Sequence, residues 1–550
     1  GNTVSLSSGK VTAVEIKINS LNSIISNYGV DYKITSGEGK VYYGSTTIDK
    51  VSDTIDNYNT STTKIVKVFI EATTDITVEF NISGGYQYNT KVEEKTGYTR
   101  IAEMYTDSFK VTMNVTNGTS DAVSKTTTFN GSTTFTITPN EGYTLDDAEV
   151  NCTGGTLTDN TLTITNIRKN ITCEVTLQED GPFKSGTLAA QILKDNPTIS
   201  ERTDFSVTNT ATTTGTIYQT NKTEDGSTVY YYSGNTTNNF VKFGKYNYDA
   251  NYYDSSYNPL WHIGDDIYWR IIRTNEDGSV RLLYAGPGPD ATVVYMGISK
   301  FNSDSTDDNN YPNYVGYMYG TGGSLVNDRM NLYHNDFKKA IDSWYSNNLL
   351  TNYDKYISKT AIYCNDRSVG SGTYSSSSAF SYGGYTRLST NKTPSYKCGA
   401  NTKNGLFEST QAIADKFSAS TSGGGNGKLT YPIALMTADE VVFAGGKILT
   451  NLSSPYAWYT VNSNGNLVIG GSPWPLMTPC RWYNAYAYVC SLGSNSNTSG
   501  GMLGYMMVGS TGFIRPALSL KACVKYLSGN GTPSSPYEVT IDDACSSAEN

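Results

Sequence analysis

Apolar and polar residues alternate along Val11-Thr12-Ala13-Val14-Glu15-Ile16-Lys17-Ile18, and again along Ile65–Ile70 and Ile76–Phe80. A period of two, broken by Gly/Asn/Ser turns, predicts strands half-buried in a small antiparallel sandwich over residues 1–94. Residues 95–109 read as a connector. A second alternating block follows at 110–180, where a strand pair leads through Thr138-Pro139-Asn140-Glu141-Gly142-Tyr143-Thr144 into further strands. Gly181-Pro182 then breaks the chain, and the period changes. Leu188, Ile192 and Leu193 share one face of a helix predicted over 185–197, which Pro197 ends. Further helices are expected at 336–350 and 409–419. Strands are expected at Thr228–Tyr232 and Ile267–Arg273, and another at Ser279–Tyr284 completes a hairpin through Asp277-Gly278. A few helices among many strands make residues 181–550 an α+β region.

The pattern fails between Trp474 and Phe513. Both ends look rigid, with Trp474 and Thr478-Pro479 on one side and the exit strand Ile514–Leu520 on the other. The contents are Tyr, Ser, Asn, Gly, Cys and Met without sustained alternation. Such residues build cores poorly and present side chains well, because Tyr supplies contact area at low entropy cost while Ser, Gly and Asn adapt their hydrogen bonds. Tyr486, Tyr488 and Cys490 would share one strand face, with Ala485, Ala487 and Val489 on the other. The candidate ligand-binding residues are Pro475, Leu476, Arg481, Tyr483, Tyr486, Tyr488, Leu492, Asn495, Asn497, Leu503 and Tyr505. Packing of these tyrosines against a neighbouring domain is the alternative. Met502, Met506 and Met507 read as core or rim filling.

Composition narrows the class. Tyr outnumbers Phe 44 to 16, and charged residues are only 17% of 550, so a β-rich, turn-rich exposed protein fits better than a helical enzyme or a disordered chain. A net charge of −9 without a basic run disfavours nucleic acid as partner. The eight cysteines fall into near neighbours, Cys152/Cys173, Cys364/Cys398, Cys480/Cys490 and Cys523/Cys545. Local loops of this kind suit disulfides in an oxidising compartment, with buried free thiols the alternative, strongest for Cys480 and Cys490. No run of about 18 apolar residues is present to span a bilayer. An export signal or an anchor in membrane or cell wall is expected to lie outside this sequence.

Five ordered blocks carry a resemblance: Thr223–Tyr246, Ile267–Gly286, Ala361–Ser368, Leu429–Gly446 and Phe513–Val539. Together they resemble surface proteins of gut Firmicutes whose terminal domain is related to the C-type-lectin and formylglycine-generating-enzyme-like fold. Residues 1–94 resemble the first ectodomain module of such proteins. Residues 109–177 are similar to a bacterial surface repeat that acts as a spacer, with Cys152 and Cys173 as its staple. The resemblance implies an α+β multidomain chain, in which two antiparallel Ig-like β-sandwich modules precede a C-type-lectin-like domain at 181–550. In several such families the segment before an Arg-Pro-Ala-Leu-Ser-Leu strand is varied by a diversity-generating retroelement, and residues 474–513 look like one outcome of that process.

Catalytic and metal motifs are sparse along the chain. No GxSxG, HExxH or P-loop is present, nor a sugar-lectin EPN, QPD or WND triplet. Asp265-Asp266 and Asp304, Asp307 and Asp308 lack EF-hand spacing and read as solvated loops rather than calcium ligands. His262 beside Trp261 reads as a packed histidine. No cofactor or metal is expected. The function implied is that of an extracellular, surface-displayed adhesin or receptor, with a protein or glycan ligand on another cell or a phage. A pilus or filament subunit with a structural head is the alternative. An ectoenzyme of the formylglycine-generating kind ranks last, since Cys480 and Cys490 do not map onto its cysteine pair.

Overall fold

The computed structural model describes residues 2–9, 11–19, 27–43, 63–85, 93–103, 108–128, 131–302, 312, 315–319, 328, 331, 335–399, 414–420, 422, 424–468, 472–493, 501–541 and 545. The chain is β-rich and divides into two compact units, Gly1–Asp180 and Gly181–Asn550.

Within the first unit, residues 3–100 form two sheets. One has the order Thr3–Leu6, Ile76–Gly85, Asn27–Ser36, Thr99–Arg100; the other has Val11–Asn19, Thr63–Ala72, Gly39–Tyr43. All these pairings are antiparallel, and Val30, Val66, Val68, Ile70 and Val78 meet in the core. Part of the expected connector belongs here. Arg100 pairs with Asp31 across the ladder, and Ile101 is buried in the core.

Residues 108–179 form a second pair of four-stranded sheets around Val111, Met113, Phe135, Ile137, Leu162 and Ile164. One expectation fails, because this module is not wholly antiparallel. Its first strand, Ser108–Thr116, lies parallel to its last, Ile171–Glu179, in the register Val111↔Ile171 to Thr116↔Thr176. Apolar alternation sets which face is buried but carries no strand direction. Cys152 and Cys173 are bridged.

In the second unit, Val280–Gly286 and Pro516–Leu520 lie side by side at the centre of a ten-stranded sheet and are buried throughout. Asp266–Thr274 flanks them on one side and Ile433–Leu435 on the other. Helix Leu188–Asp195 is N-capped by Thr187, and Asp336–Asn348 by Asn335. The helix expected at 409–419 is not found. Residues 409–413 lie outside the described residues, and Ala414–Ser418 is a strand paired with Tyr363–Asp366. Its Asp415 is buried against Arg367 at 2.7 Å, a contact that fixes the strand from outside its own sequence. Trp261 is buried, but His262, expected to pack, is largely exposed beside Asp249.

Three of the expected bridges lie in this unit, and two of them staple its frame. Cys364 is joined to Cys398, and Cys523 to Cys545. Cys398 and Cys545 are both buried, so neither belongs to a surface that a ligand could reach. Both serve as framework, as the expected pairing has it: a bridged, buried sulfur has no thiol to react and no area to offer. The burial has a plain cause, since a disulfide carries no charge and seats as an apolar group once its thiols are gone.

Candidate ligand-binding face

A second sheet of this unit runs in the order Val369–Ser371, Phe380–Tyr382, Trp474–Tyr483, Tyr486–Leu492, Leu503–Met507. Trp474–Tyr483 contains Pro475 and Pro479, which have no N–H to give a ladder, and the register slips at both. Its middle is tied to the frame: Thr478 Oγ1 accepts from Ala438 N at 2.9 Å, and Met477 N donates to Met436 O at 2.9 Å. Asn484 and Ala485, at φ 49° and 63°, form a two-residue turn into Tyr486–Leu492, the pattern of a type I′ hairpin. Cys480 and Cys490 bridge the two strands across ten residues. The chain-entropy account credits such a link with about 2–3 kcal/mol.

This sheet separates the expected site residues into two sets. Pro475, Leu476, Leu492 and Leu503 are buried and present nothing to solvent, being apolar side chains on the core side of the sheet or on stretches covered on both sides. Ala487 and Val489 are buried as expected, while Cys490 is lost to the disulfide and Ala485 to the turn. Asn495 and Asn497 lie outside the described residues. Arg481, Tyr483, Tyr486, Tyr488 and Tyr505 are brought together. Arg481 pairs with Tyr488, Tyr483 with Tyr486, and Tyr488 with Met507, so paired side chains share a face. Tyr483, Tyr486 and Met507 are its most exposed members, at 43%, 44% and 38%.

Below them the Arg481 guanidinium is ringed by aromatics, 4.8 Å from Tyr483, 5.1 Å from Tyr505 and 5.9 Å from Tyr385. Its Nη1 donates to Tyr505 Oη at 3.0 Å. Tyr505 meets Tyr488 edge-on at 5.4 Å and Tyr385 at 6.1 Å. Burial pushes the Tyr385 and Tyr488 phenols above their ordinary value, so at neutral pH both keep the proton they can donate. Tyr385 was not among the expected residues. It arrives from the helical turn Gly383–Thr386, nearly a hundred residues upstream, and no local pattern announces it. Met507, read as core or rim filling, stands at the rim.

A cavity of about 500 Å³ in the same unit is lined by charge. Glu440 takes Arg273 at 3.2 Å and Arg281 at 2.7 Å, while Arg387 holds both oxygens of Asp439 at 2.8 Å and reaches Asp366 at 3.3 Å. These carboxylates are committed to guanidiniums and Glu440 also closes a capping box with Thr437, so the network knits strands to helix Ala438–Phe443. Among the described residues no group of His, Cys, Asp and Glu is arranged to hold a metal.

Compared with known protein families, characterised proteins and solved structures, the chain matches none. The chemistry of the face therefore carries the functional reading. All eight cysteines are paired in the four expected disulfides, which is the state of an oxidising, extracytoplasmic compartment. Among the described residues no helix is long and apolar enough to cross a membrane.

Proposed function

We propose that this chain is an extracellular, bacterial-surface adhesin or receptor that binds its ligand non-covalently. Residues 181–550 act as a C-type-lectin-like head, and the two N-terminal sandwiches act as Ig-like spacers. The ligand is a protein or glycan on another cell or a phage, and no cofactor takes part. One observation carries the reading: a disulfide-bridged hairpin presents exposed Tyr483 and Tyr486 above a half-buried Arg481, on a sheet whose other side is core. Tyr and Arg are the residues that concentrate binding energy at interfaces, and a rigid frame leaves little entropy to lose. The paired carboxylates of the charged cavity favour binding over catalysis.

The test is binding of the intact chain to cells of its source community, read by flow cytometry. Tyr483→Ala and Tyr486→Ala should each lower apparent affinity about tenfold with melting unchanged, while Tyr253→Ala, at another exposed tyrosine, should not. Equal binding by all three variants would sink the reading. The diversified origin of 474–513 has its own check. Population sequencing should find substitutions at Arg481, Tyr483, Tyr486, Tyr488 and Tyr505 with Trp474 and Arg515-Pro516 constant, and an invariant segment removes the retroelement.

A further inference from the structure

We propose that the tyrosine face accepts an anion, and that its occupant is a partner protein placing one aspartate or glutamate carboxylate against Arg481; this rests on the ligand-binding reading above. The arginines of this molecule show the reason by contrast. Arg100, Arg273, Arg281, Arg367 and Arg387 each meet a carboxylate. Among the described residues, Arg270 and Arg515 are buried without one and spend their donors on the protein. Arg270 reaches Asn239 Oδ1 at 2.6 Å and Thr236 O at 2.9 Å, and Arg515 reaches Tyr284 O at 2.8 Å and Tyr459 O at 2.5 Å. Arg202 likewise donates to Val442 O at 2.7 Å and Phe443 O at 2.9 Å.

Arg481 follows neither pattern. Among the described residues it has no carboxylate partner, and its hydrogen bonding to the protein is the single contact to the Tyr505 phenol. Its Nε is buried and has no acceptor. A guanidinium has five N–H donors, so most of this fork is unspent. The surrounding rings compensate part of the charge through their negative faces, but they give Nε no acceptor. A carboxylate set against the unspent Nη donors compensates the charge directly, and a two-pronged arginine–carboxylate contact is among the strongest that neutral pH allows.

Two further observations select the occupant. With a net charge of −9 the chain repels an extended polyanion, which leaves an isolated acid. A small acidic sugar is held in a concavity that covers most of its surface. Here the outermost side chains, Tyr483, Tyr486 and Met507, are all more than a third exposed and form a rim around a central charge. That is the plan of a protein-interface hot spot, where surrounding contacts exclude water from one strong pair.

Selection of random phage-displayed dodecapeptides on the full chain tests this, with Tyr486→Ala, Arg481→Gln and Arg481→Lys proteins in parallel. Peptides lost on Tyr486→Ala define binders of the face. Among them we expect one enriched Asp or Glu, an affinity about 10- to 100-fold lower on Arg481→Gln, partial recovery on Arg481→Lys, and weakening below about pH 4–5 as the peptide acid protonates. Exchanging that acid for its amide should reproduce the Arg481→Gln loss. Face-binding peptides without an enriched acid, or with affinity indifferent to Arg481, overturn the anion while the binding reading stands. Displacement of the peptides by glucuronate at lower concentration than by N-acetylglutamate overturns the protein occupant in favour of an acidic sugar. If no peptide depends on Tyr486, the protein occupant is overturned, while the binding reading stands or falls on the cell-binding test of Tyr483→Ala and Tyr486→Ala.

Discussion

Asp31 is fully buried in the first module, where Arg100 Nε donates to it at 2.5 Å and Lys95 N and Ser83 Oγ donate at 3.0 and 2.9 Å. Burial alone would raise its carboxyl, but these donors outweigh burial and hold it below the ordinary 3.8. A depressed acid stabilises the fold above its unfolded value and loses that contribution as pH falls through the folded one. Thermal unfolding of the chain should therefore show the first module weakening below pH 3.8, while Asp31→Asn is weaker at neutral pH and flatter across the acid range. A first-module transition in the variant that still follows pH as the parent does would contradict this. At this scale the candidate site was legible in part. Arg481 and Tyr483, Tyr486, Tyr488 and Tyr505 declared themselves by residue type in one segment. The four buried apolar neighbours shared that segment but not its exposure, since an irregular strand does not reveal which side faces water. Tyr385 was hidden because only the tertiary fold brings it near Arg481.

The hairpin Trp474–Leu492 concentrates the element-scale arguments. Its turn holds a non-glycine residue, Ala485, at φ 63°, where a Cβ is strained by about 1–2 kcal/mol. Ala485→Gly should raise stability by about 1 kcal/mol, read as a higher urea midpoint for this unit, with ligand binding unchanged. A lower midpoint would mean that Ala485 makes a contact outweighing its strain. Elements with a period were the legible ones: helices Leu188–Asp195 and Asp336–Asn348, and the hairpin Asp266–Gly286, fall close to where the apolar pattern, Pro197 and the Asp277-Gly278 turn put them. Cysteine spacing was legible too, because each pair closes a short loop within one module, although it did not tell that Cys398 and Cys545 would be buried. Helix Ala438–Phe443 was missed although Thr437 and Glu440 form its capping box, because it is short and buried on every side. Residues 414–418 misled in the opposite sense. Ala-Asp-Lys-Phe-Ser carries no strand pattern of its own, and its conformation is set by partners at 363–367.

At the scale of the whole molecule, three separate apolar clusters sit in residues 4–101, 109–177 and 183–545. The break at Gly181-Pro182, where the period changes, made the boundary between the second and third clusters legible. Sheet order was not, since the strands that meet at the centre of the ten-stranded sheet come from residues 280–286, 433–435 and 516–520. The direction of the closing strand of the second module was equally hidden, and it has a mechanical consequence. Ser108–Thr116 and Ile171–Glu179 run parallel across six residue pairs. Tension entering at residue 108 and leaving at 179 therefore pulls opposite ends of one ladder, loading its hydrogen bonds together in shear instead of peeling them singly. Held between those points in a single-molecule pulling experiment, the module should yield in one abrupt high-force event. A gradual low-force extension would contradict the pairing. The bridge between Cys152 and Cys173 also keeps the intervening residues from paying out after that rupture. A module built this way transmits a tug instead of absorbing it.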